Sequence, residues 1–277
     1  MSLLIFAIAS LTAVASGCVA MAQSGVAPSS WLRSVVAWGA GAGLAALLAR
    51  YGKPRGAAIG AVALATAALI ATLFAPAVDG VHRWLDLGPL QINAAALFLP
   101  AMIVGLAAIG IARPMALVSA CIAATVLLVQ PDASQLTAFA IAASVLIVRS
   151  GLATRWKALA LVIAAVFAIA GWTRPDPLQP VAEVEQIFAM CLAVSPFLAL
   201  LAGLALAATA AAPLAHSSSD GAIALCAYFL AVSIAPFFGW FPVPLVGLGM
   251  SFPAGFWLGM GLLLGQPGSV AASRITR

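Results

Sequence analysis

Ionisable side chains are scarce in this chain. Twelve Lys and Arg with seven Asp and Glu make up 7% of 277 residues, whereas a soluble domain uses about 25%. Such a chain cannot present a wettable surface, so its solvent is the bilayer. Cysteine is scarce too. Cys18, Cys121, Cys191 and Cys226 all fall inside apolar segments and at no metal-ligand spacing. They read as small apolar residues rather than as disulfides or a metal centre. Charge is missing from the middle of every apolar segment. A charge at mid-bilayer costs about 2.5–3.5 kcal/mol on insertion scales and is normally kept for ion pathways or proton relays, so its absence argues against an ion-coupled transporter.

What is present is apolar: 65% of the residues are hydrophobic. A helix crossing the hydrocarbon core needs about 20 apolar residues at 1.5 Å each. Ten segments are candidates, over residues 3–22, 32–49, 57–77, 93–111, 114–130, 136–149, 158–172, 186–214, 221–238 and 245–265. The shorter ones need tilt, local thinning or burial against neighbours. Segment 186–214 is long enough to tilt strongly or to run past the interface. The Ala- and Leu-rich runs lack the alternation of a transmembrane barrel. The expected fold is all-α, a polytopic membrane helical bundle of about ten transmembrane helices forming one integral membrane domain over residues 1–277. The first segment lacks a positive flank and is expected to be an uncleaved helix rather than a signal peptide.

Orientation follows from Lys and Arg. With a cytoplasmic N-terminus, the cytoplasmic loops hold Arg50, Lys53, Arg55, Arg113, Arg149, Arg155, Lys157, Arg274 and Arg277, and the opposite loops hold Arg33, Arg83 and Arg174. That nine-to-three split predicts both termini in the cytoplasm. It also accounts for the net charge of +5 without nucleic-acid binding. The acids sort the other way: Asp79, Asp86, Asp132, Asp176, Glu183 and Glu185 lie outside and Asp220 alone inside. Acids contribute little to topology, so this clustering places any chemistry in the outer loops.

Three outer loops carry the candidates. Residues 79–89 hold Arg83, suited to a pyrophosphate or to an ion pair with Asp79 or Asp86, and Trp84, suited to the headgroup layer. His82 lies in the same loop, but a lone interfacial histidine is more often a bystander. In Gln130-Pro131-Asp132, the aspartate is placed either to cap the following helix or to face a ligand. Residues 173–185 are acidic and proline-stiffened. A carboxylate there serves either as a helix N-terminal cap, through Glu183 and Glu185, or as a general base once partial burial raises its pKa. Glycine pairs at Gly39/Gly43, Gly255/Gly259 and Gly261/Gly265 have the spacing of close helix contacts, with no partner assignable from sequence.

These loops, in this order, resemble the SEDS family (shape, elongation, division and sporulation). The family pattern G-x-x-R-W-[IL]-x-L-G is matched by Gly80, Arg83, Trp84, Leu85, Leu87 and Gly88. Of the family's following Q-P-S-E, Gln91 remains, and Ala94 replaces the acid. Gln130-Pro131-Asp132 resembles Q-P-D-x-G without its glycine. Residues 184–189 resemble T-D-F-I-F-A, with Glu185 where the family has aspartate. Pro244-Leu245-Val246-Gly247 followed by Phe252 resembles the late P-x-V-G stretch, and Ala254-Gly255-Phe256-Trp257 replaces the family's S-Y-G-G-S.

The resemblance implies a ten-span protein of the bacterial cytoplasmic membrane. It would act in cell division or cell-shape control, polymerising lipid II, the lipid-linked disaccharide of peptidoglycan, at the outer face. Its implied partners are the lipid-linked precursor, membrane lipids and a class B penicillin-binding transpeptidase. Glu185 would be the catalytic base, and Arg83, Trp84, Gln91, Asp132 and Glu183 would bind substrate. Arg83 would help hold the departing pyrophosphate, with or without a divalent cation, and no organic cofactor is implied. The short loop before Glu185 and the lost family acid keep two alternatives open: a non-catalytic scaffold for a transpeptidase complex, and a translocase of the lipid-linked precursor. The orientation has a direct check. A cysteine placed at Gln179 should react with a membrane-impermeant maleimide added outside intact cells, and labelling only after lysis would reverse the topology.

Overall fold

A computed structural model of the chain describes residues 2–52, 54–88 and 90–266. It contains helices α1 (Ser2–Gln23), α2 (Pro28–Tyr51), α3 (Pro54–Thr72), α4 (Ala94–Ile109), α5 (Pro114–Val129), α6 (Ala133–Arg149), α7 (Thr154–Trp172), α8 (Ala182–Glu185), α9 (Ile187–Val194), α10 (Pro196–His216), α11 (Asp220–Ile234) and α12 (Ser251–Leu264). Six of the helical segments have the length and composition to cross a membrane, and four shorter apolar helices pack among them. With α9 and α10 counted as one passage and the single turn α8 outside it, the described residues make ten passages, as the sequence predicts. The fold is an all-α polytopic membrane bundle. Lys53, Arg274 and Arg277, expected above at the cytoplasmic side, lie outside the described residues.

Three boundaries differ from the sequence reading, each for a local reason. Segment 186–214 is a broken helix rather than one long tilted one. Ser195 is extended, with φ −169° and ψ 141°, because the following Pro196 disfavours helical backbone before it. The Ser195 hydroxyl then caps the new helix by accepting from the Leu198 N–H at 3.2 Å. The last helix starts at Ser251, not near residue 245. Pro242 and Pro244 lack the N–H groups that a helix would need, and the stretch before α12 stays irregular. The loop over 79–89 is more ordered than a connection. β1 (Trp84–Asp86) pairs antiparallel with β2 (Gln91–Asn93). Ahead of it, Asp79 and Gly80 both take positive φ, 48° and 81°, in a tight turn closed by Val78 and Val81. An Asp-Gly pair suits that geometry.

The closest approaches between helices of the bundle are made at small residues. Lipid tails are as apolar as leucine, so helices in a bilayer associate by close packing rather than by the hydrophobic effect. Helix α12 shows this. A Cβ on Gly255 would lie 2.1 Å from the Ala96 carbonyl of α4, and one on Gly259 2.6 Å from Pro100 of the same helix. On another face, a Cβ on Gly261 would lie 2.5 Å from Ala45 of α2. Two of the three glycine pairs thus acquire partners. Gly39 and Gly43 face open space. Stacked rings complete the centre: Phe229 of α11 and Phe256 of α12 have centroids 3.8 Å apart. Helix α7 lies at the edge, its span window only 6% buried.

Gly255→Val should therefore lower thermal stability in detergent by the equivalent of about 1–3 kcal/mol. Gly43→Val, with no atom in its way, should leave the melting temperature close to the parent's.

Candidate functional site

Successive helices run up and down, so the connections sort to two ends. One end gathers the hairpin, the turn at 130–132, the loop at 173–181 and the loop at 238–250. The other gathers the short connections near residues 52, 110–113, 150–153 and 217–219. At that second end Arg149 meets Asp220 at 2.5 Å, with both side chains nearly half exposed. Such an exposed pair contributes little.

The hairpin end is built around Arg83, whose side chain is 7% exposed. Its Nε donates to the Gln130 carbonyl at 3.0 Å, and its Nη2 donates to the Pro131 carbonyl and to Asp176 Oδ2, both at 2.6 Å. Asp132 Oδ2 stands 3.8 Å from Nε. One guanidinium thus ties the hairpin to the turn before α6 and to the loop after α7. Nη1 has no protein partner among the described residues. A bracketed, planar cation of this kind needs the fixed fork of arginine.

Each carboxylate around it also organises backbone. Asp132 Oδ1 caps α6 by accepting from Gln135 N–H at 3.2 Å and Ser134 hydroxyl at 3.0 Å. Asp176 Oδ1 accepts from Leu178 N–H at 3.2 Å, closing the proline-rich loop. The two uses weighed for Asp132, capping and facing a ligand site, are compatible because its two oxygens divide the work.

Glu185 sits on α8, a helix of four residues that cannot hold itself. The loop before α12 supplies the support. Leu248 N–H donates to the Glu183 carbonyl at 2.7 Å, and Val243 N–H donates to the Val184 carbonyl at 3.1 Å. Gly247 lets this loop approach: a Cβ there would lie 2.6 Å from the Val184 carbonyl oxygen. Glu185 Oε2 accepts from the Val181 N–H at 2.7 Å, leaving Oε1 uncommitted among the described residues. Burial is the main cause that raises the Glu185 pKa above the ordinary 4.5. Backbone hydrogen bonds at Val181 and at its own N–H oppose the rise, the charge of Asp176 adds to it, and Arg83 opposes it weakly.

Arg83, Trp84, Gln91, Asp132 and Glu185 line one cavity of about 410 Å³. Glu183, grouped with them from the sequence, is outside its lining. It turns its carbonyl to Leu248, and no side-chain bond is made from it among the described residues. His82 is also engaged structurally, its Nδ1 2.9 Å from the Ala75 carbonyl. Sequence reasoning missed Asp176, Gln135, Trp240 and Ser251, which share the lining. Gln135 carried a usable signal, since it lies three residues after Asp132 and so shares its helix face. Through Glu185 and Trp240 the cavity borders a second hollow of about 300 Å³. That hollow shares Phe188, Ala189 and Phe237 with an apolar furrow of about 470 Å³ along α9 and α10. Among the described residues no group of three or more His, Cys, Asp or Glu is placed to hold a metal ion.

No family model matches the chain, and no curated protein matches its sequence. Solved structures do match. The Thermus thermophilus rod shape determining protein RodA is 22% identical with a TM-score of 0.62, covering 94% of this chain and 94% of that one. A single-residue mutant of the same protein gives the same identity and TM-score, with 95% of its chain covered. A chain from a peptidoglycan synthase complex, described for its structural coordination of polymerization and crosslinking, is 20% identical with a TM-score of 0.64; 94% of this chain and 96% of that one are covered. The likeness shows the fold: an all-α polytopic membrane bundle folded like RodA.

Arg83→Ala would strand Asp132 beside Asp176 without their cation. Loss of one partner from a buried pair costs about 3–5 kcal/mol. Arg83→Ala should therefore unfold at markedly lower temperature than the parent in detergent, and Arg83→Lys should recover only part of the loss because an ammonium lacks the fork.

Proposed function

We propose that this chain is a SEDS-type membrane protein of bacterial cell-envelope growth, acting on a lipid-linked sugar diphosphate at the outer face of the cytoplasmic membrane. One observation carries the reading. A half-buried carboxylate, Glu185, and a guanidinium, Arg83, line the same polar cavity, and that cavity adjoins an apolar furrow on the bundle's flank. A polar chamber continued by an apolar track fits an amphiphile with a large head and a hydrocarbon tail. The same orientation puts both termini in the cytoplasm.

The chemistry that fits is inverting glycosyl transfer. The acceptor hydroxyl attacks the anomeric carbon of the donor, the bond from that carbon to the diphosphate oxygen breaks, and the lipid diphosphate departs. Glu185 takes the hydroxyl proton through Oε1, its Oε2 being held by the Val181 N–H. Arg83 steadies the diphosphate as its charge grows, through Nη1, in a site where partial exclusion of bulk water strengthens the interaction. Trp84 and Gln91 line the same cavity and offer a stacking face and an amide to the sugar. A transpeptidase that cross-links the product is the natural partner, and the synthase complex containing a similar fold supports that pairing.

A non-catalytic scaffold draws on a different observation: most of the Arg83 donors, and one Glu185 oxygen, are already engaged internally. Polymerisation of purified lipid-linked precursor separates the two. Glu185→Gln should lower that rate at least 100-fold while leaving the melting temperature near the parent's; an unchanged rate would leave the scaffold reading.

The acid limb of the pH–rate profile gives a second check. The raised pKa of Glu185 means that it holds its proton to a higher pH than an ordinary glutamate. The base form is lost as pH falls through that pKa, so activity should fall on the acid side with a midpoint above 4.5. Asp176→Asn removes a negative charge that favours the protonated form, and should move this midpoint to lower pH.

A further inference from the structure

Gln135 lies in the first turn of α6 and lines the cavity, yet it is only 2% exposed. Its Oε1 accepts a 2.5 Å hydrogen bond from the hydroxyl of Tyr228, a wholly buried residue of α11. That hydroxyl has no other acceptor among the described residues. If the amide were turned over, its N–H would donate to the hydroxyl oxygen and the buried O–H would be left without an acceptor among the described residues. The amide is therefore fixed with its oxygen toward Tyr228 and its nitrogen away from it. Nε2, with two N–H donors, has no hydrogen-bond partner among the described residues, and the space it borders is the cavity.

The position of this donor is informative. Asp132 stands between Gln135 and Arg83: Oδ1 accepts from the Gln135 backbone N–H at 3.2 Å, and Oδ2 faces Arg83 Nε at 3.8 Å. Gln135 and Arg83 thus stand on either side of one carboxylate, and both residues line the one chamber. With the Asp132 and Asp176 oxygens taken up by Arg83 and by local N–H and O–H groups, free donors beside the guanidinium suit an anionic oxygen of a ligand.

We propose that Gln135, held amide-outward by Tyr228, is a ligand-binding residue of this cavity that donates to a phosphate oxygen of the lipid diphosphate. The proposal rests on the reading of the cavity as a lipid-linked sugar diphosphate site, and adds a residue that no motif of the sequence marks.

The test uses the full chain in detergent, with farnesyl diphosphate as probe and farnesol as its uncharged counterpart. The parent should bind the diphosphate more tightly than the alcohol. The double variant Gln135→Leu with Tyr228→Phe replaces the hydrogen-bonded pair by an apolar one, so no buried hydroxyl is stranded and the fold should persist. It should weaken farnesyl diphosphate binding about tenfold, the scale of a hydrogen bond to a charged group, and leave farnesol unchanged. Gln135→Glu should weaken the diphosphate further through charge repulsion. Undiminished diphosphate binding by the double variant, or equal loss of both probes, would overturn the role of Gln135 and leave the lipid-diphosphate reading standing. A parent protein without preference for the diphosphate would remove that reading, and the role of Gln135 with it.

Discussion

A single buried guanidinium holds the polar end of this protein together. In a chain so poor in charge, an arginine with a 7% exposed side chain is a large commitment, since desolvating an ion costs several kcal/mol unless charges and dipoles replace the water. Two carboxylates and two carbonyls replace it here. Those four groups come from the turn before α6 and the loop after α7, and the arginine itself comes from the strand-forming connection between α3 and α4. None of these loops has a hydrophobic core of its own. Their relative positions are set by the geometry of one planar cation, and the cavity exists because they are so placed.

The helical frame obeys a different rule. Its closest contacts are made where side chains are missing, at Gly255, Gly259 and Gly261 of α12 and at Gly105 of α4, whose Cβ would lie 2.8 Å from the Ala58 carbonyl. The frame therefore gives fixed helix ends, and the loops decide what chemistry stands between them. Glu185 shows both influences. Helix α9 carries it to the right end, and the loop with Gly247 fixes the turn on which it sits.

The ten passages were legible because an apolar run bounded by Pro, Gly or charge has few alternatives in a bilayer. The break inside 186–214 was written in Ser195-Pro196, but a hydropathy pattern averages over a single proline. The convergence of Arg83, Trp84, Gln91, Asp132 and Glu185 on one cavity followed from their loops sharing an end of the bundle. Asp176 stayed hidden because its neighbours read as a stiff acidic loop, and nothing local shows that a carboxylate will meet an arginine 93 positions earlier. Gln135 and Tyr228 were hidden for the same reason at equal separation. Glu183 was grouped with Glu185 by adjacency, yet residues two apart on a helical turn face different ways.

The break before Pro196 has a mechanical result. Proline offers no N–H to the Leu192 carbonyl, so the backbone ladder loses a rung between α9 and α10. Without that rung, a tilt or twist of α10, which packs against α1 and α11, is absorbed at Ser195 instead of being carried rigidly upward. The carboxylate at the top is thereby insulated from jostling by the long helices and answers instead to the loop clasped over it.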